Sequence, residues 1–329
     1  MSVIRLVKVG LQGLFKQLES SVDAGKRVQQ PLLSADQIHA LAEEVSHMAV
    51  RLSRNPRQSE ALRQGEQTSR FMGAGLEYEE SRPYQLGDEI RRINWRLMAR
   101  TGQAYTKLFQ EERQENWFIL VDQRQSMRFG TKTRLKAEQA LRAAGYYLWM
   151  AQQSGIPVEG ARLAEDLQAT PTFEGRGTFE HLMEIFSQPC PPQSQKRQEP
   201  NLNDVLLEVT QRIQPGSRVI IISDFHDVDS KTMTILTALQ ALARVKAVFI
   251  EDVAERELPS REGLRLQSVS TAEVFSLQGR QQAEEYRVWA ESYFQTLENR
   301  LKQSGTVVTT LLAHEPLSKL AEQMEGVNG

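Results

Sequence analysis

The chain has 329 residues, 40% of them hydrophobic and 25% charged, with a formal net charge of −2. This composition belongs to a globular protein with room for one large domain and a smaller one, and the near-zero charge argues against bulk electrostatic binding to nucleic acid or anionic membrane. Cys190 is the one cysteine, so an intrachain disulfide is excluded and a reducing compartment is expected.

The opening stretch, MSVIRLVKVGLQGLFKQLES, puts Leu6, Leu11, Leu14, Phe15 and Leu18 roughly on one helical face. Its uncharged run between Lys8 and Lys16 is too short to span a bilayer, and no small-residue cleavage site follows. The other apolar runs have strand length, so the expectation is a cytoplasmic protein without a transmembrane segment. A helix begins after Ser34, with Gln37 three residues on as in a capping box, and Leu41, Val45 and Met48 at helical spacing. It should end near Asn55–Pro56, which closes an N-terminal helical region over 1–55.

Residues 56–115 differ in kind, with short extended pieces, glycine turns and one short helix. Asp88 is positioned to cap that helix, with Ile90, Ile93 and Leu97 on one face. The segment AYTKLFQEER alternates weakly and reads as a strand that could pair with NWFILVD across a turn. Residues 51–100 hold ten arginines, no lysine and seven acidic residues. Arginine without lysine favours specific pairing or planar recognition, either within the chain or on a partner or nucleic-acid surface.

From residue 116 to 329 apolar strands alternate with helices. Near-continuous apolar strands imply a mainly parallel sheet covered on both faces, and right-handed crossovers make it doubly wound α/β. The proline- and glutamine-rich stretch at 188–201 reads as a flexible loop. Ligands of such folds sit at the carboxyl ends of the strands. Asp122 ends the strand WFILVD and Asp224 ends RVIIISD, so both carboxylates belong on one rim. Asp122, Ser126 and Asp224 could hold Mg²⁺ through oxygen, or simply cap helices and loop amides. Arg124 stands between the first two. Pointing inward it would neutralise Asp122 and Asp224 as an internal cation; pointing outward it would be a surface arginine. No phosphate-binding loop, nucleophile elbow or metal-binding histidine spacing occurs. His226 is the histidine beside the rim.

The strand-end Asp-x-Ser-x-Ser pattern with a later strand-end aspartate resembles the ion site of von Willebrand factor A-type domains. More specifically, residues 34–325 resemble a bacterial family catalogued as domain of unknown function fifty-eight. The motif residues are Gly73, Gly75, Glu77 and Tyr78, then Arg82, Tyr84, Gly87 and Asp88, then Arg91, Ile93, Asn94 and Trp95. Asn94 stands where the family has aspartate. The resemblance implies a von Willebrand factor A-like fold with an N-terminal extension, and a degenerate adhesion-type metal site. Asp122, Ser126 and Asp224 match its ligands, Arg124 replaces the first serine, and Pro200 or Asn201 replaces the threonine. It further implies an adaptor without enzymatic activity, working with a MoxR-type AAA+ ATPase in assembling or activating a complex. Asp122, Arg124, Ser126 and Asp224 would then face a protein partner, and Arg124 could receive a partner's carboxylate. A metal-assisted hydrolase using Asp122 and Asp224 is the alternative, and nucleic-acid binding through the arginine-rich region a third. Trp95 is expected to anchor the core of the N-terminal module.

Overall fold

The computed structural model describes residues 31–53, 77–85, 87–110, 115–190, 199–258, 265–267, 274–276 and 279–325. The amphipathic N-terminal stretch, Gly73, Gly75 and the side chains of Glu77 and Tyr78 lie outside what is described. The chain divides into two compact units, Met1–Ser53 with Glu115–Gly329, and Arg54–Gln114. Helix α1 (Ala35–Ser53) opens on the expected capping box: Ser34 N donates to Gln37 Oε1 at 2.8 Å and Gln37 N to Ser34 Oγ at 3.3 Å. Rather than standing apart as an N-terminal region, this helix buries Leu41 and Val45 in the core of the larger unit.

In the smaller unit β1 (Glu77–Pro83) pairs antiparallel with β2 (Tyr105–Gln110), and α2 (Trp95–Thr101) lies between them in sequence. This corrects the pairing of AYTKLFQ with NWFILVD. The latter strand is buried at every residue and needs neighbours and cover on both sides, which a hairpin does not provide. The expected helix from Asp88 is also two pieces, a 3₁₀ turn at Ile90–Arg92 and then α2. Asp88 instead ties the preceding turn. Its carboxylate accepts Gln85 N at 2.9 Å, Arg82 Nη2 at 2.6 Å and Thr106 Oγ1 at 3.0 Å. The Gln85 amide and then Arg82 hold its pKa below the ordinary value. Gly87 adopts φ +110, a conformation in which a side chain would be strained. Asn94 caps α2 by accepting from Leu97 N at 3.1 Å, while its amide donates to Ser81 Oγ at 3.1 Å. Arg91 is exposed and Tyr84 partly buried, its N–H bonded to Ala104 O at 2.9 Å.

The larger unit continues with β3 (Trp117–Asp122), α3 (Lys136–Gln153), β4 (Val158–Leu163), β5 (Leu167–Ala169), α4 (Thr178–Phe186) and α5 (Leu202–Arg212). Then come β6 (Arg218–Ser223), α6 (Ser230–Gln240), β7 (Arg244–Glu251), the single turn α7 (Val253–Arg256) and a small hairpin, β8 (Arg265–Gln267) with β9 (Val274–Ser276). Helix α8 (Gly279–Gln303), β10 (Val307–Leu312) and α9 (Ser318–Glu325) complete it. The sheet runs β10-β7-β6-β3-β4-β5, parallel except for the edge strand β5. This is the doubly wound, mainly parallel α/β sheet expected from the sequence.

Alternate residues of each strand enter two cores. Ile119, Val121, Ile220, Ile222, Val248 and Ile250 pack under α3, α4 and α1. Phe118, Leu120, Val219, Ile221 and Phe249 pack under α5, α6 and α8. A β-carbon on Gly145 of α3 would stand 2.7 Å from Leu41 Cδ2, so the glycine lets α1 approach closely. The chain leaves β3 toward β4 on one side and later reaches β6 on the other. The strand order therefore reverses between β3 and β6, which makes their carboxyl ends the crevice of the fold.

Trp95 is 59% exposed and Ile90 66%, and α2 buries no residue. The expectation of a tryptophan anchor is thus corrected: Trp95 occupies the first turn of a surface helix. Trp95→Ala should change stability by no more than about 0.5 kcal/mol in urea denaturation, against the roughly 3–5 kcal/mol of a core aromatic. Asn94→Ala should cost about 1 kcal/mol through the lost cap.

Candidate functional site

Asp122 ends β3 fully buried, and Arg124, two residues on, is 3% exposed. Arg124 points inward. Its backbone N–H donates to Asp122 Oδ1 at 3.0 Å and its Nε to the same oxygen at 3.0 Å. Nη2 donates to Asp122 Oδ2 at 2.7 Å and to Asp227 Oδ1 at 3.0 Å. Nη1 donates to Asp227 Oδ2 at 2.5 Å and to Pro200 O at 3.2 Å. A guanidinium carries five N–H donors, and here all five are used. Burial by itself would lower the pKa of Arg124, but Asp122 and Asp227 outweigh it and hold the group charged. Burial would likewise raise Asp227, and the hydrogen bonds from Arg124 bring it below the ordinary carboxylate range.

Arg124 is therefore an internal cation, as its inward reading required, but its second carboxylate is Asp227 and not Asp224. A saturated, buried guanidinium has no donor left for a partner's carboxylate, which corrects that expectation. The oxygens of Asp122 are also engaged, since Ser223 Oγ donates to Oδ2 at 2.6 Å. The position of the absent threonine is filled by backbone: Pro200 O faces Arg124, and Leu202 N donates to Asp227 Oδ2 at 2.9 Å.

Asp224, 5% exposed, has its own cation. Lys136, fully buried in the first turn of α3, donates to Asp224 Oδ2 at 2.9 Å and to Glu255 Oε1 at 2.5 Å. Burial would lower the lysine's pKa, and the two carboxylates raise it instead. For Asp224 burial pushes upward, and Lys136 followed by His226 pulls it well below the ordinary value. For Glu255 burial wins over Lys136 and the pKa is raised. His226 Nδ1 lies 2.9 Å from Asp224 Oδ1 and 2.9 Å from Ser126 Oγ. A serine–histidine–aspartate triad needs serine and aspartate on opposite ring nitrogens. Here one nitrogen faces both, so the grouping is not a nucleophile relay.

Phe225, between Asp224 and His226, has φ +49 and is 1% exposed against Phe249. A left-handed phenylalanine is strained, and it is held by packing and by its N–H on Ser223 Oγ at 3.0 Å. The bend lies between Asp224, which meets Lys136, and Asp227, which meets Arg124. The 188–201 loop is anchored at both described ends. Cys190 Sγ donates to Gln123 O at 3.3 Å and Arg162 Nη2 to Pro189 O at 2.9 Å. Glu199 accepts Arg128 Nη2 at 2.8 Å and Gln125 N at 2.7 Å. Residues 191–198 lie outside the described part.

The sequence placed Asp122, Arg124, Ser126 and Asp224 together, and the structure does bring them to one rim. Three of the four are buried, so surface contact falls to Ser126, His226 and Asp227. Among the described residues no group of three or more histidine, cysteine or acidic side chains is arranged to hold a metal ion. The Mg²⁺ reading does not fit, because N–H and O–H donors occupy the oxygens a cation would use. Asp227, Lys136 and Glu255 were missed. Lys136 left a signal: a cation in the first turn of a helix opposes the helix dipole and calls for a buried counter-charge.

Arg124→Ala should lower stability by about 3 kcal/mol, because it leaves the buried Asp122 and the partly exposed Asp227 carboxylates without their cation. Millimolar Mg²⁺ should raise the melting temperature of that variant and leave the parent unchanged. For His226 the sign follows from its raised pKa: burial lowers it, and Asp224 more than compensates. Its contribution is full below the unfolded imidazole value and is lost as pH rises through the folded one. The stability difference between the parent and H226Q should therefore be larger at about pH 6 than at about pH 9. Asp224 contributes oppositely, losing its share only as pH falls through its depressed value.

The family model described as protein of unknown function DUF58 matches residues 80–293. Uncharacterized protein Rv1480 of Mycobacterium tuberculosis is 29% identical over 217 residues, 64% of this chain and 66% of that one. The chain thus spans just under two thirds of the length of this relative. Uncharacterized protein YeaD of Bacillus subtilis is 28% identical over 102 residues, 31% of this chain and 24% of its own. Among solved structures, the conserved hypothetical protein BatB from Bacteroides thetaiotaomicron aligns with a TM-score of 0.40 at 12% identity, over 65% of this chain and 97% of its own. A von Willebrand factor type A structure from Catenulispora acidiphila aligns with a TM-score of 0.35 at 8% identity, over 67% of this chain and 43% of its own. The family match covers well over half of the sequence, and the chain belongs to the DUF58 family.

Proposed function

We propose that this protein is a non-enzymatic, cytoplasmic interaction protein, an adaptor that works with a MoxR-type AAA+ ATPase in the chaperone-like assembly or activation of another protein complex. The observation that carries this reading is the Arg124 bridge. At the crevice where a doubly wound fold would place its ligand, a built-in cation closes the site and uses every donor it has. Such a rim offers a fixed shape and partly exposed polar groups, Ser126, His226 and Asp227, without a poised nucleophile. A protein surface is the ligand that suits it. The ATPase is implied by the family resemblance alone. No helix among the described residues is long and apolar enough to cross a membrane. A metal-assisted hydrolase at the same rim would need the Asp122 oxygens that Arg124 and Ser223 occupy.

The test is an affinity capture of the tagged protein from native lysate, run with Mg²⁺ and with chelator and read by mass spectrometry. An AAA+ ATPase retained in both conditions, and lost with a Ser126→Arg rim variant that still folds, supports the adaptor reading. Retention only with Mg²⁺, abolished by Asp122→Ala while the ATPase's own nucleotide dependence is controlled, would return a metal to the rim. Absence of any ATPase under both conditions sinks the partner assignment.

A further inference from the structure

Among the described residues Ile90 and Trp95 are the most exposed of the large apolar side chains, at 66% and 59%. They share one stretch, 90–100, with three exposed arginines, Arg91, Arg96 and Arg100. On α2 the exposed residues Trp95, Arg96, Ala99 and Arg100 fall within an arc of about 140° of the helical wheel, and Leu97 and Met98 are half-buried on the other side. The helix is fixed at both ends. Asn94 caps its start, and Gly102, at φ 73, donates its N–H to Met98 O at 2.8 Å. None of the three arginine side chains has an ion pair or hydrogen bond among the described residues. The neighbouring acids are already taken: Asp88 meets Arg82 at 2.6 Å, and Glu89 is itself engaged. Arg96 and Arg100, four residues apart, repel each other, and Arg96 in the first turn also opposes the helix dipole. The helix, WRLMART, contains no acidic residue to offset either effect.

We propose that this face is a docking surface for an acidic segment of a partner protein, one in which carboxylates are interspersed with apolar side chains. The carboxylates form forked pairs with the guanidiniums of Arg91, Arg96 and Arg100, and the apolar side chains cover Trp95 and Ile90. Charge complementarity selects this occupant, because the face presents cations and has no free anion of its own. Tryptophan and arginine are also the residues from which interface hot spots are built, and lysine, the more diffuse attractor, is absent from residues 51–100. A nucleic acid suits the face less well. One indole offers a single stacking platform, the aliphatic Ile90 offers none, and the chain's net charge of −2 supplies no bulk attraction. A lipid surface would find only Ile90 and Trp95 to bury. The capped helix is already ordered, so docking on it costs little conformational freedom. This inference goes beyond the adaptor reading and is independent of it, since it uses no rim residue.

The experiment titrates the full chain into a fluorescein-labelled random copolymer of glutamate and tyrosine and follows anisotropy. Labelled polyglutamate and a labelled oligothymidylate run in parallel, and cosedimentation with phosphatidylserine vesicles covers the lipid case. The copolymer should bind saturably and more tightly than either other polymer, since it alone offers both carboxylates and apolar side chains. Trp95→Ala, and Arg96→Gln together with Arg100→Gln, should each weaken it by about tenfold. Arg244→Gln, at an exposed arginine of the larger unit, should leave it unchanged. All of these positions are exposed, and an unchanged urea midpoint checks that each variant folds. Absence of saturable binding overturns the proposal, as does equal affinity for polyglutamate or tighter binding of oligothymidylate. So does an unchanged affinity in Trp95→Ala or in the arginine pair, an equal loss with Arg244→Gln, or vesicle binding that the arginine pair abolishes.

Discussion

The guanidinium of Arg124, clamped between Asp122 and Asp227, is the interaction on which the rim depends. It joins the end of β3 to the loop after β6 and, through Pro200 O, to the entry of α5. A buried ion pair of this kind adds little net stability over a well-packed apolar alternative, since desolvation offsets most of its Coulomb energy. What it provides is a fixed arrangement. If one member is removed, the others become uncompensated charges in a largely buried crevice. The three connections that meet at the switch point of the sheet are thereby set relative to one another.

The second cation repeats the logic one strand further along. Lys136 satisfies Asp224 and Glu255, and Glu255 also accepts Asp252 N at 2.8 Å, which links the start of α3 to the turn after β7. Carboxylates that could have ligated a metal are each given an internal ammonium or guanidinium. The cations at this acidic rim are supplied by the chain itself. Strain at Phe225 is part of the same construction. The left-handed turn there is costly for a phenylalanine, and it presents Asp224 and Asp227, three residues apart, to two different cations.

The family motif in the smaller unit has an equally local explanation. Arg82, Asp88 and Thr106 form one polar knot that fixes a turn whose glycine, Gly87, alone tolerates φ +110. Asn94 caps α2 through its amide oxygen and still donates to Ser81 through its nitrogen, two tasks that one amide can perform at once. These residues hold a fold together. Trp95 of the same motif, and Ile90 beside it, are exposed and have no such task.

Much of this could be read along the chain. Period and apolar content gave the strands and most helices, the Ser34–Gln37 box gave the start of α1, and strand-end positions put Asp122 and Asp224 on one rim. These are local properties, because an apolar strand or a capping box is determined by residues a few positions apart. The short antiparallel edge strand β5 had no such signal, and β2 was given the wrong partner because alternation specifies a strand without naming its neighbour. The choice of partner for each buried charge was likewise decided only in three dimensions. From the sequence Arg124 could pair with Asp224 or Asp227, which sit three residues apart, and in the fold it meets Asp227. Lys136 meets Asp224 across 88 residues of sequence, and Ser223 meets Asp122 across 101. Sequence determined which side chains carry charge and which strand ends they occupy. Which charges pair was left to the tertiary structure, because electrostatic satisfaction in a buried crevice depends on distances of a few ångströms that no spacing encodes.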